Sequence, residues 1–479
     1  MKWRISGCGE CWYELGIEDD GSLVGLKRDD FIQSLTFLKQ MVSMNDANIV
    51  TVNEFCKNDN YFAEIFIAKN VNSNVEEVKI AVLGDSGAGK SSLLSVLGSN
   101  DLDDSNGKAR LSLLKHRHEI LSGKTSSVIF KRISFDSEGK VLNNLEHSES
   151  AFWEKEMGCE NSAKWVTLID VAGYSKYLRT TLSSLTLVHL DYVFIVIDGS
   201  SDRLESNALD HLELGLSLDV PAIIIVNKVD LTNQQRIFTL FSQFITLLSQ
   251  RSLKLGIIDS PTKFPESFTN FIPVFMTSCC TGHSIELLRS YIFSLKCRPI
   301  DLQNEFQAII NDVFFLPVGI VAQVSVKSGY FNAASNPNLN VGPDSLGSFV
   351  QCQVSSIHRY RNPVEKTSQG DIVTMVLECK DSSLIRKGAI VTTSDCLKGS
   401  FGAHISCRLL SSSKMPKLNQ RVILILRGRT VMAIVKDIVL NSDEVMLSVK
   451  FVKFKEIINA KERIIIWNCG IKAVGSVVE

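Results

Sequence analysis

Apolar positions in the middle of the chain fall in short unbroken runs, at 78–83, 165–169, 221–226 and 272–276. Runs of that length, bounded by glycine or polar residues, are what strands buried on both faces require. Stretches with helical apolar spacing accompany them, at 92–97, 205–216, 231–248 and 284–295. Strand and helix in alternation predict a doubly wound parallel sheet over 78–298. The alternation lapses between Gly98 and Lys164, which marks an insertion. Ahead of the sheet, a helical pattern at 30–41 sits near β-prone runs at 47–52 and 61–68, a small α/β unit over 1–77. Beyond Cys297-Arg298-Pro299 the texture changes to short alternating runs of Val, Ile, Thr and Ser, broken at Gly342-Pro343-Asp344, Gly370-Asp371, Lys387-Gly388 and Arg427-Gly428. That pattern predicts two all-β barrels, over 304–396 and 401–479.

Composition narrows the class without naming a chemistry. A chain of 479 residues exceeds a single core and divides into about three or four domains. With 22% charged residues, 45% apolar residues and a net charge of −1, it reads as an ordinary globular protein with no bulk attraction to nucleic acid or membrane. The first residues hold no apolar stretch of signal-peptide length, and no run of about eighteen apolar residues occurs, so a cytoplasmic protein without a membrane span is expected. The 12 cysteines lack regular spacing and are expected to be reduced thiols. Cys8-Gly9-Glu10-Cys11 has metal-ligand spacing, but no second Cys or His pair lies nearby, and it reads as a local turn.

The candidate chemistry sits at the ends of the apolar runs. Gly84-Asp85-Ser86-Gly87-Ala88-Gly89-Lys90-Ser91-Ser92 joins the first run to a helix, the context of a phosphate loop. There, backbone N–H groups and the helix N-terminus face the phosphates, Lys90 reaches the β- and γ-phosphates, and Ser91 offers a hydroxyl to Mg²⁺. Asn227-Lys228-Val229-Asp230 ends the third run. Its Asp230 carboxylate can accept from N1–H and the exocyclic amine of guanine, a donor pair adenine lacks. Asn227 would tie this loop to the phosphate loop, and the stem of Lys228 would cover the base. Thr277-Ser278-Cys279 follows the fourth run, with the Ser278 N–H expected on the guanine oxygen. Asp170, ending the second run, can hold Mg²⁺ through water, and the N–H of Gly173 can meet the γ-phosphate. Thr125 would add a second hydroxyl to Mg²⁺ from a loop ordered by that phosphate. Together the segments point to GTP/GDP with Mg²⁺.

Longer signatures bring a resemblance. Gly7-Cys8-Gly9-Glu10, His116-Arg117-His118-Glu119-Ile120-Leu121-Ser122-Gly123-Lys124-Thr125, Phe315-Leu316-Pro317-Val318-Gly319, Gly342-Pro343-Asp344-Ser345-Leu346-Gly347, Ser356-Ile357-His358-Arg359 and Lys472-Ala473-Val474-Gly475 resemble the eukaryotic GTP-binding protein 1 and 2 family, elongation factor Tu-like translational GTPases. The resemblance implies Thr125 as the switch ligand of Mg²⁺, catalysis with Lys90 and Gly173, and partners in the ribosome, aminoacyl-tRNA and the mRNA-decay machinery. Two departures stand out. Tyr174 occupies the place of the family's water-orienting histidine, and Asp85, Ser86 and Gly87 replace the usual centre of the phosphate loop. One reading is therefore a ribosomal GTPase made slow by Tyr174; the other is a GTP-dependent binding module with little or no hydrolysis. An ATP- or sulfate-metabolism enzyme on a similar scaffold is disfavoured by the barrel signatures. His358-Arg359-Tyr360-Arg361 suits stacking on single-stranded RNA, and equally a solvated basic turn.

Overall fold

The computed structural model describes residues 10–478 apart from 19–21, 23, 45–46, 58–59, 70–74, 100, 112, 115–118, 121–124, 127, 143–161, 174–181, 184, 202–203, 205, 219, 250–251, 266–267, 269, 299–304, 317–318, 336–337, 344–346, 360–361, 380–384, 395–398, 441–443, 454 and 469. Strands β1 (Glu10–Leu15), β2 (Ala47–Lys57) and β3 (Asn60–Lys69) form an antiparallel sheet in the order β1-β3-β2, beside the helix Arg28–Ser43. The apolar stripe of that helix buries Phe31, Leu38 and Val42 against Ala63, Ile65 and Ile67. Strand β1 was not anticipated. Cys11 pairs with Ile67 within it, so the expected turn at Cys8-Gly9-Glu10-Cys11 is corrected to the start of a strand, Cys8 itself lying outside the described residues.

The central sheet contains β4 (Glu76–Leu83), β5 (Ile129–Phe135), β6 (Lys164–Asp170), β7 (Tyr192–Asp198), β8 (Ala222–Asn227), β9 (Lys254–Ile257) and β10 (Phe271–Met276), in the order β5-β6-β4-β7-β8-β10-β9. All neighbours are parallel except the β5–β6 pair. Side chains of β4 alternate between two cores: Val78, Ile80 and Val82 meet the helices Lys90–Gly98 and Ile285–Ser294, while Ala81 and Leu83 face Leu212 and Phe244 of the helices Ser206–Leu216 and Gln234–Ser249. An unbroken apolar run is the consequence of covering both faces. Arg289 fixes the phosphate-loop helix from the other end, donating from Nε to Leu97 O at 3.2 Å and from Nη2 to the carbonyls of Val96 and Ser99. A guanidinium at the C-terminal carbonyls satisfies groups the helix cannot and opposes the negative end of its dipole.

The first barrel is built from β11 (Gln307–Leu316), β12 (Gly319–Ser328), β13 (Tyr330–Asn332), β14 (Asn338–Gly342), β15 (Val350–Arg359), β16 (Asn362–Val364), β17 (Lys366–Ser368), β18 (Ile372–Cys379) and β19 (Ile390–Thr392). The circuit β14-β19-β11-β12-β18-β15 closes through the β14–β15 pairing, leaving β16 on β15 and β13–β17 as a separate ribbon. The second barrel is closed in the order β20-β23-β22-β21-β24-β25, from β20 (Gly402–Leu409), β21 (Arg421–Leu426), β22 (Arg429–Leu440), β23 (Val445–Phe451), β24 (Arg463–Asn468) and β25 (Ile471–Val477). Period-two burial of Val373, Met375 and Leu377, and of Val431, Ala433 and Val435, is what turns alternating sequence into closed sheets without free edges. Cys352 and Cys379, directly opposed on β15 and β18, are joined as a disulfide. The expectation of reduced thiols throughout is corrected at this pair. Its cause is the register, which sequence spacing does not reveal.

Both barrels are packed onto the nucleotide domain. Leu410, Ile425, Ile465, Trp467 and Val474 of the second barrel join the same apolar cluster as Leu212, Leu214 and Leu218. The first barrel docks through charge: Glu77 lies 3.4 Å from Lys79 and 3.5 Å from Arg359, which is also 3.3 Å from Asp371. Arg359 is thus held in an interdomain pair, while Tyr360 and Arg361 lie outside the described residues. Among the described residues no helix is long and apolar enough to cross a membrane.

Candidate nucleotide site

Strands β4, β6, β8 and β10 end at one edge of the sheet, and the predicted segments follow them there. Gly89 has φ 88° immediately before the helix Lys90–Gly98, and a Cβ on it would lie 2.3 Å from Asn227 Nδ2. Only glycine satisfies both the left-handed backbone and that approach. The expected tie between loops is present: Asn227 Nδ2 donates to Ala88 O at 3.1 Å, and Thr277 Oγ1 donates to Asn227 Oδ1 at 3.3 Å. Asp85 Oδ1 accepts the Ser86 N–H at 2.6 Å. Lys90 Nζ donates to Gly84 O at 2.9 Å and Asp85 O at 3.0 Å. Ser86, Gly87, Gly89, Lys90, Ser91 and Ser92 line one wall of a cleft of about 200 Å³; Thr125, Gly173 and Lys228 line others.

The Ser91, Thr125 and Asp170 oxygens converge. Ser91 Oγ donates to Asp170 Oδ2 at 2.6 Å and lies 3.0 Å from Thr125 Oγ1. Asp170 is fully buried, and its Oδ1 has no hydrogen-bond partner among the described residues. Burial pushes the Asp170 carboxyl up, opposed by Lys90, and burial pulls the Lys90 ammonium down, opposed by Asp170 and Asp85. An orphaned carboxylate oxygen beside two hydroxyls fits a hard divalent cation, whose ligands are oxygens. Gly173 runs close under the loop: a Cβ there would be 2.5 Å from Lys90 Nζ and 2.6 Å from Gly84 O. Its backbone therefore lies directly against the phosphate loop and the Lys90 ammonium.

At the other end of the cleft Lys228 Nζ pairs with Asp198 Oδ2 at 2.6 Å, and Asp230 is exposed in the short 3₁₀ turn Val229–Leu231. Ser278 departs from expectation. Its N–H donates to His283 O at 3.2 Å, so the donor assigned to guanine is used within its own loop. Cys279 follows, buried, with its thiol pushed up to about 12 by burial and its Sγ 3.5 Å from Asn227 Oδ1. Tyr174 lies outside the described residues.

Two contributors were not found in the sequence. Asp103, Ser105, Asn106, Gly107 and Arg110 line the cleft opposite the phosphate loop. They are held there by the Asp103 N–H on Cys279 O at 2.9 Å and by Asp104 Oδ1, which accepts from the N–H groups of Asn106 and Lys108. The Asp-rich polar run was the available signal, an Asx turn feeding a short helix. His211 is buried with Nε2 3.4 Å from Gly173 O, its pKa brought down to about 3 by burial and then by Lys90. The neighbouring Asp210 and Glu213 accept from Ser412 and Ser411 of the second barrel. One helix thereby connects Gly173 to the barrel.

The sequence and the fold match a known domain. The family model of the elongation factor Tu GTP binding domain matches residues 76–299. GTP-binding protein 2 of Mus musculus is 32% identical over 419 residues, spanning 82% of this chain and 68% of that protein. GTP-binding protein 1 of Xenopus laevis is 30% identical over 493 residues, spanning 99% of this chain and 74% of that protein. The chain belongs to the GTP-binding protein 1/2 family. As a member of that family it carries an elongation factor Tu-type domain for a guanine nucleotide and is related to translational GTPases. The crystal structure of a bacterial selenocysteine-specific elongation factor, EF-Sec, shares the fold at a TM-score of 0.59 and 13% identity, over 84% of this chain; the chain spans 58% of that structure.

Proposed function

We propose that this family member is a GTPase of the ribosome that holds aminoacyl-tRNA with its barrels in the GTP state and lets go after hydrolysis, serving elongation at paused ribosomes or mRNA surveillance. The division into units 1–77, 78–298, 304–396 and 401–479 and the cytoplasmic location are part of this proposal. The observation that carries it is the convergence of Ser91, Thr125 and buried Asp170 beside Lys90. In this reading the cluster is where the γ-phosphate and a switch loop would meet. A divalent cation bound there would supply charge stabilisation to the β- and γ-phosphates. Lys90 then neutralises the phosphate oxygens, the Gly173 N–H meets the γ-phosphate, Asp230 reads guanine, and the Cys279 N–H takes over the role first given to Ser278. The mRNA-decay machinery is a further proposed partner. Protection of the aminoacyl ester from spontaneous hydrolysis tests the tRNA step: protection with a non-hydrolysable GTP analogue and none with GDP is expected, and equal decay in both states would refute it.

Thr125→Ala should spare GDP affinity within about twofold and lower GTP affinity by about tenfold, because Thr125 would meet the bound cation only when the γ-phosphate is present. Calorimetry with each nucleotide decides this, and an equal loss for both would show the switch loop to be misassigned.

Tyr174, in place of histidine, favours a slow enzyme. A phenol cannot carry the charge of an imidazolium, and misplacing the attacking water costs about 10²-fold. Tyr174→His should raise single-turnover hydrolysis on saturating ribosomes by about tenfold or more. An unchanged rate would move the limiting step to the altered phosphate loop at Ser86 and Gly87, which the double variant Tyr174→His with Gly87→Asp addresses.

A further inference from the structure

Where the nucleotide domain meets both barrels there is a cavity of about 380 Å³ whose charge is unbalanced. Arg298 enters from the interdomain connection, Lys327 from the first barrel, and Arg427, Lys461 and Arg463 from the second, against Glu462 as the one carboxylate among the described residues of the lining. Arg427 is 2% exposed. Its Nη2 lies 3.4 Å from Glu456, which also holds Arg429, and its Nε lies 3.4 Å from Glu462. Among the described residues its Nη1 has no hydrogen-bond partner, and neither has Nε2 of His189 in the same lining. Lys327 Nζ donates across the junction to the neutral carbonyl of Thr186, at 3.0 Å. A buried guanidinium nitrogen without an acceptor is destabilising, and repulsion among the cations adds to it.

We propose that this junction is a binding site for a small multivalent anion of the phosphomonoester or pyrophosphate class, which ties the nucleotide domain to both barrels. The volume is that of a small-ligand pocket. Cations converging from three domains suit a tetrahedral group with several acceptor oxygens, and arginine is the side chain that recognises such groups with directed N–H pairs. The role is separate from the nucleotide cleft: the lining begins at Leu185, beyond the switch, and shares no residue with the phosphate loop.

The protonation of the lining bears on how the anion is held. Burial first, and Arg463 after it, bring the Lys327 ammonium down to about 7, opposed by Glu462. Burial, then Lys327, Arg298, Lys79 and Arg463, bring His189 down to about 4, so it stays neutral at physiological pH. Arg427 and Lys461 complete the charged groups facing Lys327. A bound anion favours protonated Lys327, so above pH 7 binding must take up a proton and weakens, by up to about tenfold per pH unit.

The test is calorimetric titration, with inorganic pyrophosphate, of protein saturated with a non-hydrolysable GTP analogue, which fills every phosphate position of the nucleotide cleft. One-to-one binding is expected, weaker at pH 8.5 than at pH 6.5, and weakened by about tenfold or more in Lys327→Met and in Lys461→Asn. Lys461 is exposed and has φ 64°, a backbone that asparagine tolerates, so the second variant keeps the fold if the first does not. Absence of binding, or binding unchanged in both variants, overturns the site. Binding of a 5′-phosphorylated RNA hexamer without binding of pyrophosphate overturns the small-anion assignment in favour of an RNA end.

Discussion

Asp230→Asn should weaken GTP binding by about 10²-fold and bring xanthosine triphosphate to the tighter place. The carboxylate sits in the turn Val229–Leu231 directly after β8, whose end is tied to the phosphate loop through Asn227 and Ala88, so its distance from bound phosphate is set by the sheet. From there it accepts two guanine hydrogen bonds, and hydrogen bonds to a charged group contribute about 1.5–3 kcal/mol each. An amide keeps one acceptor and turns the other position into a donor, which opposes the exocyclic amine of guanine and matches the position-2 carbonyl of xanthine. Asp230 is exposed, and a substitution there leaves the fold within about 0.5 kcal/mol. Competition binding with GTP, ATP and xanthosine triphosphate measures it. Unaltered preference in the variant would place guanine recognition elsewhere.

Lys90→Met should abolish useful affinity for both nucleotides, a loss of about 10²–10³-fold. Lys90 is 6% exposed, and its ammonium is held over the loop by the carbonyls of Gly84 and Asp85. Removing one member of a buried charge pair costs about 2–5 kcal/mol. Methionine keeps the packing of the stem and removes only the charge, so a loss of fold is distinguishable by thermal melting. Asp170 then loses the cation that opposes its burial, and its carboxyl should titrate higher still. Undiminished GDP affinity in a folded Lys90→Met would contradict the phosphate-loop assignment.

What the sequence disclosed and what it hid follow different physics. The apolar runs ending at Leu83, Ile169, Val226 and Met276 were legible because strands covered on both faces must be apolar throughout. The segments after them were legible because phosphate and guanine each demand particular residue types at strand ends. The barrels were legible from period-two burial, seen in Val373, Met375 and Leu377. Register was not: no local signal states that Cys352 faces Cys379, or that Glu10–Leu15 pairs with β3. Contacts distant in sequence were equally hidden. Arg289 at the end of the phosphate-loop helix, His211 against Gly173, and Asp103 against Cys279 each depend on elements brought together only by the sheet. Ser278 was misread because the closure of its loop on His283 is a backbone event that its side chain does not announce.

Whether a GTP switch in this protein is read by the ribosome is decided by GTP turnover of the wild-type protein with and without ribosomes carrying aminoacyl-tRNA. Slow hydrolysis by the free protein, a rise of at least about tenfold on ribosomes, and loss of that rise in Thr125→Ala are expected. Turnover that is the same with and without ribosomes, in protein that binds GTP, would contradict it.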